Sequence, residues 1–221
     1  MLRLKAEYGG TIPRDKVRAA FSLAHVLYAL LLFDIHGKLG RLRLGRMLDL
    51  GMGSLQTFMR RLKNELGYIA AMPRKAHHLT DKGNKLVDDI KQEFTLISHL
   101  PVFDNFMIGE KFNAIGCVSL PPGSCQATLE LDPLELRTVA LENGGTGLIS
   151  IVATAQNSLK FLSAENLDLQ KLFKKEWVRL HEIFQYTQGD LILIAMAPTQ
   201  LDARLALISS AMTAREMILG A

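Results

Sequence analysis

Residues 40–83 run GRLRLGRMLDLGMGSLQTFMRRLKNELGYIAAMPRKAHHLTDKG, and the spacing of apolar side chains within them decides how the first half of the chain folds. From Leu42 to Leu50, Leu44, Met47 and Leu48 recur at helical intervals, and Gly51-Met52-Gly53 then breaks the helix. A short helix followed by a tight glycine turn predicts a second helix at a steep angle to the first. Ser54 is the expected N-cap of that second helix. Leu55, Phe58, Met59, Leu62 and Leu66 fall at the three- and four-residue spacing of one buried stripe, and Gln56, Thr57, Arg60, Arg61, Lys63 and Asn64 make the opposite face. Gly67 stands where a left-handed residue ends a helix. Tyr68 to Met72 and His77 to Leu79 then read as strands around a turn at Pro73-Arg74-Lys75. The order is helix, turn, helix, hairpin.

At these residues the stretch resembles a winged helix-turn-helix domain. GRLRLGRMLDL stands at the supporting helix, SLQTFMRRLKNEL at the recognition helix, PRK at the wing tip and LTDKG at the next helix start. The resemblance implies that the second helix enters the major groove of DNA while the wing lies on the backbone or minor groove. Carried over residue by residue, Arg43 of the supporting helix and Ser54, Gln56, Thr57, Arg60, Arg61, Lys63 and Asn64 become base or phosphate contacts. Arg74 and Lys75 become wing contacts. The sequence does not decide which of Arg60 and Arg61 reads a base and which grips a phosphate. Charge supports the same expectation independently. Residues 38–75 hold nine Lys or Arg against two acidic residues, the clustering that phosphate binding rewards through counterion release. A solvated basic helix face and a protein-interaction module are the competing uses of such a pattern.

The charge is uneven along the chain. Residues 1–100 carry 17 basic and 9 acidic groups, whereas residues 101–221 carry 9 and 13, so the +4 net charge conceals one basic half and one mildly acidic half. A length of 221 residues with 48% hydrophobic and 22% charged content suits two small globular domains and excludes a disordered chain. The most apolar run, Phe21 to Phe33, is too short to span a bilayer and contains Ser22 and His25, so it is expected as a core helix and no membrane partner is expected. With no signal-peptide pattern at the start, a cytoplasmic location is expected. Cys117 and Cys125 are then read as reduced and largely buried, not facing one another across a hairpin.

Outward from the central stretch, the first dozen residues read as a loosely packed basic terminus. A long helix follows from Pro13 to His36, with Gly37 as its stop. Its apolar residues occupy more than one stripe, so part of it is free to meet a second subunit. Downstream, Thr80 caps a helix expected to run to about Leu100. Its apolar face, Leu86, Ile90, Phe94 and Ile97, is longer than one small domain needs and suits a homodimer contact. Pro101 ends that helix, which places domain one at residues 1–100, with the last helix as linker and dimerisation element, and domain two at 101–221.

The second half alternates in type. Strands are expected at Asn113 to Leu120 and Cys125 to Leu131 around Pro121-Pro122-Gly123, then a helix from Asp132-Pro133 to Asn143-Gly144. A strand from Gly147 to Val152 and one at Lys160 to Leu162 lead to a helix from Asp168 to about Gln185. Leu191 to Ala197 is apolar on both faces, as a central strand would be, and a last helix spans Thr199 to Leu219. The fold class is therefore α+β: an N-terminal winged helix-turn-helix followed by a small mixed α/β sheet domain. The pairing resembles archaeal winged-helix proteins taken to be transcriptional regulators, whose C-terminal domain has no assigned function. In the second half the resemblance rests on ELRTVALENGGTGLISI and QGDLILIAMAPTQLDARLALISSAMTA.

Gly144-Gly145-Thr146-Gly147 looks like a phosphate loop, yet it follows a helix and leads into a strand, the reverse of the order a phosphate cradle needs. A helix cap is the better expectation. A ligand over this loop would meet Arg137, Glu142, Gly144, Gly145 and Thr146. His77 and His78 are adjacent on a strand and point to opposite sides, so no metal site is expected, and no catalytic constellation or cofactor is expected either. The expected function is a transcriptional regulator that binds double-stranded DNA, as a homodimer, with the second domain dimerising or sensing a small effector. A small-molecule enzyme fused to a winged helix, or a protein- or RNA-binding adaptor, stands as the alternative.

Overall fold

The computed structural model describes residues 1, 4, 20–73, 76–97, 112–155 and 158–220, and the chain divides into two compact units, Met1–Lys91 and Gln92–Ala221. In the first unit, helix α1 (Leu23–His36) begins at an extended Ser22, whose N–H donates to His25 Nδ1 at 3.0 Å. The long helix expected from Pro13 is, among the described residues, a helix only from Leu23, after non-helical residues 20–22; residues 13–19 lie outside the described ones. Ala24 and every residue from Val26 to Phe33 are buried, which makes α1 the core of the unit.

Strand β1 (Leu39–Gly40), helices α2 (Arg41–Met47) and α3 (Met52–Arg60), a π-helical segment (Arg61–Glu65), and strands β2 (Ile69–Ala71) and β3 (Ala76–Leu79) follow in order. The strands form an antiparallel sheet in the order β1-β3-β2, with Leu39 opposite His77 and Ile69 opposite Leu79. Helix α4 (Asp81–Glu93) is capped by Thr80, whose Oγ1 accepts the Gly83 N–H at 3.1 Å. The same hydroxyl donates to Gly67 O at 2.7 Å, and Lys82 Nζ donates to Leu66 O at 3.0 Å, so the start of α4 also closes the end of the preceding helix. Gly67 has a φ of 68°, as its place after that helix predicts. Gly83 lets α4 press against Tyr68, because a Cβ there would lie 2.2 Å from the Tyr68 carbonyl oxygen.

The helix expected to reach Leu100 stops at Glu93. Phe94 to Ile97 instead form strand β4, pairing with β5 (Phe112–Val118) from Phe94 opposite Val118 to Ile97 opposite Ile115. Phe94 and Ile97 fit a helical period as well as a strand, and pairing with β5 decides between them. Residues 98–111, with Pro101, lie outside the described ones.

The second unit is built on a six-stranded antiparallel sheet in the order β4-β5-β9-β6-β7-β8, where β6 is Gly147–Ala155, β7 Ser158–Phe161, β8 Ala164–Asp168 and β9 Leu191–Ala197. Leu191 to Ala195 are fully buried, as expected of the central strand. One face carries α6 (Pro133–Glu142), capped by Asp132, whose carboxylate accepts Leu134 N–H at 2.8 Å, and α9 (Gln200–Leu219), capped by Thr199. The other face packs Ile115, Cys117, Ile151, Ile192 and Ile194 against Leu169 of α7 (Leu169–Leu172), Leu180 of α8 (Lys174–Ile183) and Phe184. Burying each such aliphatic side chain contributes about 1.5–3 kcal/mol.

Two expectations fail here. The strand expected at Cys125 to Leu131 is a short helix, α5 (Cys125–Leu129): after Gly123 at a φ of 90°, Thr128 Oγ1 lies 2.9 Å from both Ser124 O and Gly189 O, pinning one helical turn. The helix expected from Asp168 is broken at Phe173 into α7 and α8, and β8 precedes it. Cys117 is buried and Cys125 half-buried, and both are free thiols.

Candidate nucleic-acid interface

Helices α2 and α3 meet closely because Gly45 faces Leu55: a Cβ on Gly45 would come within 2.6 Å of Leu55 Cδ2. The turn between them is not made where the glycines suggest. Leu48 N–H bonds Leu44 O and Leu50 N–H bonds Gly45 O, and Asp49 takes the left-handed conformation at a φ of 48°, which Asp tolerates better than most residues. Gly51 is the N-cap of α3, not Ser54, and Leu55 N–H bonds Gly51 O at 2.9 Å. Ser54 therefore sits inside the first turn, half-buried.

The stripe predicted for the second helix is intact: Leu55, Phe58, Met59, Leu62 and Leu66 are all buried. It crosses from α helix to π helix without losing its face, because Leu66 N–H reaches back to Arg61 O, one residue further than an α-helical bond. The two arginines at the junction differ in exposure. The Arg60 side chain is 63% exposed, with Nε 3.5 Å from Glu65 Oε1. That of Arg61 is 12% exposed, with Nε 3.8 Å from Glu65 Oε2 and its guanidinium 5.4 Å from the centre of the Phe21 ring. Phe21 in turn packs edge-on against Phe58 at 5.0 Å. Arg60 is presented to solvent and Arg61 is packed against the core.

Gln56, Lys63 and Asn64 are exposed beside Arg60, Thr57 is half-buried, and Arg43 is exposed on α2. Arg74 and Lys75, expected at the wing tip, lie outside the described residues. Sequence reasoning did not place Arg41 beside His77. Gly40 pairs with Ala76 and Leu39 with His77, so the first residue of α2, Arg41, follows directly from the strand that lies beside β3. A two-residue strand leaves no periodic signal, so nothing in the sequence revealed that neighbourhood. His77 is held below its ordinary pKa by partial burial and by the charges of Lys63, Arg41 and His78, in that order. Its Nδ1 is buried with no hydrogen-bond partner among the described residues.

The second group of expected contacts lies around the glycine loop that follows α6. Arg137 and Glu142 are exposed on α6, and the amides of the glycine loop are all engaged: Gly144 N–H with Leu141 O, Gly145 N–H with Ala140 O and Thr146 N–H with Met196 O, at 3.2, 2.9 and 2.8 Å. Gly144 takes a φ of 88°, and a Cβ there would lie 3.0 Å from Asp202 Oδ1, so the nearest side chain is a carboxylate. The loop is a helix cap with no donors aimed outward.

Elsewhere in the second unit, burial and the neighbouring Asp190 carboxylate push the Cys117 thiol up to about 12, which leaves it inert. Tyr186 is also pushed up to about 12, by burial and then by Cys117. Its hydroxyl bonds His181 Nε2, while His181 Nδ1 lies 2.8 Å from Trp177 O. Together these contacts place both ring nitrogens of His181 in a structural network. Among the described residues no three His, Cys, Asp or Glu side chains are grouped as a metal site requires, and no helix is long and apolar enough to cross a membrane.

No family model matches the chain, and no curated protein matches it. Among solved structures it is similar to the hypothetical protein PH0730 from Pyrococcus horikoshii OT3, with a TM-score of 0.67 and 24% identity over 89% of this chain and 93% of that one. That likeness shows a shared mixed α/β fold. An IclR family transcriptional regulator from Brucella abortus aligns over 95% of this chain and 97% of its own at 11% identity, with a TM-score of 0.29, too low to carry an argument.

Proposed function

We propose that the chain is a DNA-binding transcriptional regulator, with Met1–Lys91 acting as a winged helix-turn-helix on duplex DNA in the cytoplasm. One observation carries this: α3 and its π extension bury a continuous apolar stripe and hold Gln56, Arg60, Lys63 and Asn64 out on the opposite face. The supports around it are the close α2–α3 crossing at Gly45 and the β2–β3 hairpin that follows. Such a helix fits the width of the major groove, where Arg60 pairs with guanine and Gln56 or Asn64 with adenine. No catalytic chemistry is assigned to either unit.

The second unit, in this proposal, pairs two copies or senses a small effector. Asn113 Nδ2, Glu176 Oε2 and Trp177 Nε1 are buried there without hydrogen-bond partners among the described residues, a costly arrangement that a polar ligand would relieve. An effector bound better in one geometry of a dimer would shift DNA affinity by linkage.

The test is fluorescence anisotropy with duplex DNA from the protein's own promoter region against scrambled duplex, at several salt concentrations. Sequence-dependent binding that Arg60→Ala weakens by about 1–3 kcal/mol is expected. Binding unmoved by Arg60→Ala would sink the recognition-helix assignment. Equal binding to heparin and duplex would favour an adaptor that meets acidic partners.

A further inference from the structure

We propose that Arg41, Lys63 and His77 form a proton-linked phosphate clamp, in which a duplex phosphodiester docks on the two cations and His77 takes up a proton to become the third donor. This deepens the DNA-binding proposal and rests on it. The three residues come from three elements: the first position of α2, the π segment and the middle of β3. Backbone register brings two of them together, since Arg41 follows Gly40, the partner of Ala76, and His77 is the partner of Leu39. Lys63 comes from the segment that packs on β2, the other neighbour of β3, where Ala71 is opposite His77. Arg41 and Lys63 are exposed, and neither has an acidic partner among the described residues.

The charged groups acting on His77 are Lys63, Arg41 and His78 on its own strand, and all three disfavour a proton. The facing residues of β1 and β2, Leu39 and Ala71, are apolar, and among the described residues no charged group of α1, which also packs on β3, acts on the ring. His77 is therefore neutral at pH 7 in the free protein. A phosphate seated among these groups reverses the local field, so the bound ring holds its proton to higher pH than the free ring. Protonation puts an N–H on both ring nitrogens, so the buried, unpartnered Nδ1 needs an acceptor in the protonated state, and a docked phosphate is the group that would supply it. The sign follows. Affinity for duplex rises as pH falls through the raised pKa of the complex, and levels off below the lowered pKa of the free protein, where both states carry the proton.

Duplex affinity of the full chain measured by anisotropy from about pH 8 to about pH 5.5 at fixed salt tests this, alongside His77→Gln, His77→Arg and His78→Gln. The wild type and His78→Gln should tighten by up to about tenfold per pH unit over part of that range. His77→Gln should lose that slope, and His77→Arg should bind tightly with no slope, which guards against a folding defect being mistaken for the effect. NMR titration of the labelled His77 ring in unsubstituted protein gives a second readout, with its pKa raised by duplex. A slope retained in His77→Gln, or a ring pKa unmoved by duplex, overturns the clamp while leaving DNA binding in place. Inorganic phosphate raising the ring pKa as far as duplex does overturns it in favour of a free-phosphate site. Absence of duplex binding at every pH overturns the DNA-binding proposal and the clamp with it.

Discussion

The outer face of α3 and the loop at Gly144-Gly145-Thr146 both look like anion binders in sequence, one by its cations and the other by its glycines. They differ in what their polar groups are already doing. Around α3, Gln56, Lys63 and Asn64 stand exposed while the backbone beneath them is satisfied within the helix. In the loop, all three amides bond carbonyls of the chain itself, and Asp202 is the nearest side chain to Gly144. An anion site needs donors without an internal engagement, and composition cannot report that.

Salt should break the comparison most widely. Arg41, Arg43, Arg46, Arg60 and Lys63 are all exposed in the first unit. If the four besides the base-reading Arg60 meet phosphates, the log–log salt slope should be about −3.6, and duplex affinity should fall roughly 150-fold between about 50 and 200 mM salt. A slope near zero in anisotropy would remove the phosphate-binding role from this face.

Two glycine substitutions separate the regions by stability. Gly83→Ala would drive a methyl into the Tyr68 carbonyl, backbone against backbone, and should destabilise the first unit by about 3 kcal/mol, abolishing DNA binding as the unit melts. Gly145→Ala meets Ala140 O at 2.9 Å and Ala206 Cβ at 3.0 Å and should cost about 1–3 kcal/mol in the second unit only. Denaturant unfolding measured beside duplex titration checks both; lost DNA affinity in folded Gly145→Ala would show the loop to be part of the binding apparatus.

The arginines sharpen the comparison within a single turn. Arg60→Ala removes an exposed cation whose pairing with Glu65 contributes only about 0.2–1 kcal/mol, so its main loss should appear in duplex affinity. Arg61→Ala removes a guanidinium packed over Phe21 and should lower stability by about 1 kcal/mol. The reverse pattern, in melting and anisotropy together, would exchange their roles.

What the sequence disclosed was whatever a single helix or strand determines by itself. The stripe from Leu55 to Leu66, the left-handed Gly67, the caps at Thr80 and Asp132 and the doubly buried strand from Leu191 were all legible, because each depends on local spacing or on one side chain meeting a nearby amide. Features decided by distant partners were not. Phe94 to Ile97 became a strand only through β5, and α5 is held by Gly189, sixty-one positions from Thr128. In the candidate interface the polar face of α3 was legible, but the burial of Arg61 was not, since it depends on Phe21, forty positions away, meeting its guanidinium. The neighbourhood of Arg41 and His77 depends on a strand of two residues, too short for any period to announce.

Even the best-placed cation has an internal rival. Glu65 Oε1 lies 3.5 Å from Arg60 Nε, so a phosphate or base that engages Arg60 must first displace a carboxylate, or share the guanidinium with it. Arg60 is largely exposed, where such a pair is worth about 0.2–1 kcal/mol, and the rivalry should be correspondingly small. Glu65→Gln keeps the shape and removes the charge, so it should tighten duplex binding by no more than about fivefold, an effect fading as salt rises. The same substitution removes the partner of Arg61 and should lower the melting temperature slightly. Weaker binding in Glu65→Gln, with the fold intact, would mean that the carboxylate aims Arg60 at its target, and the exposed face of α3 would then be pre-arranged by its own acid and not merely unoccupied by it.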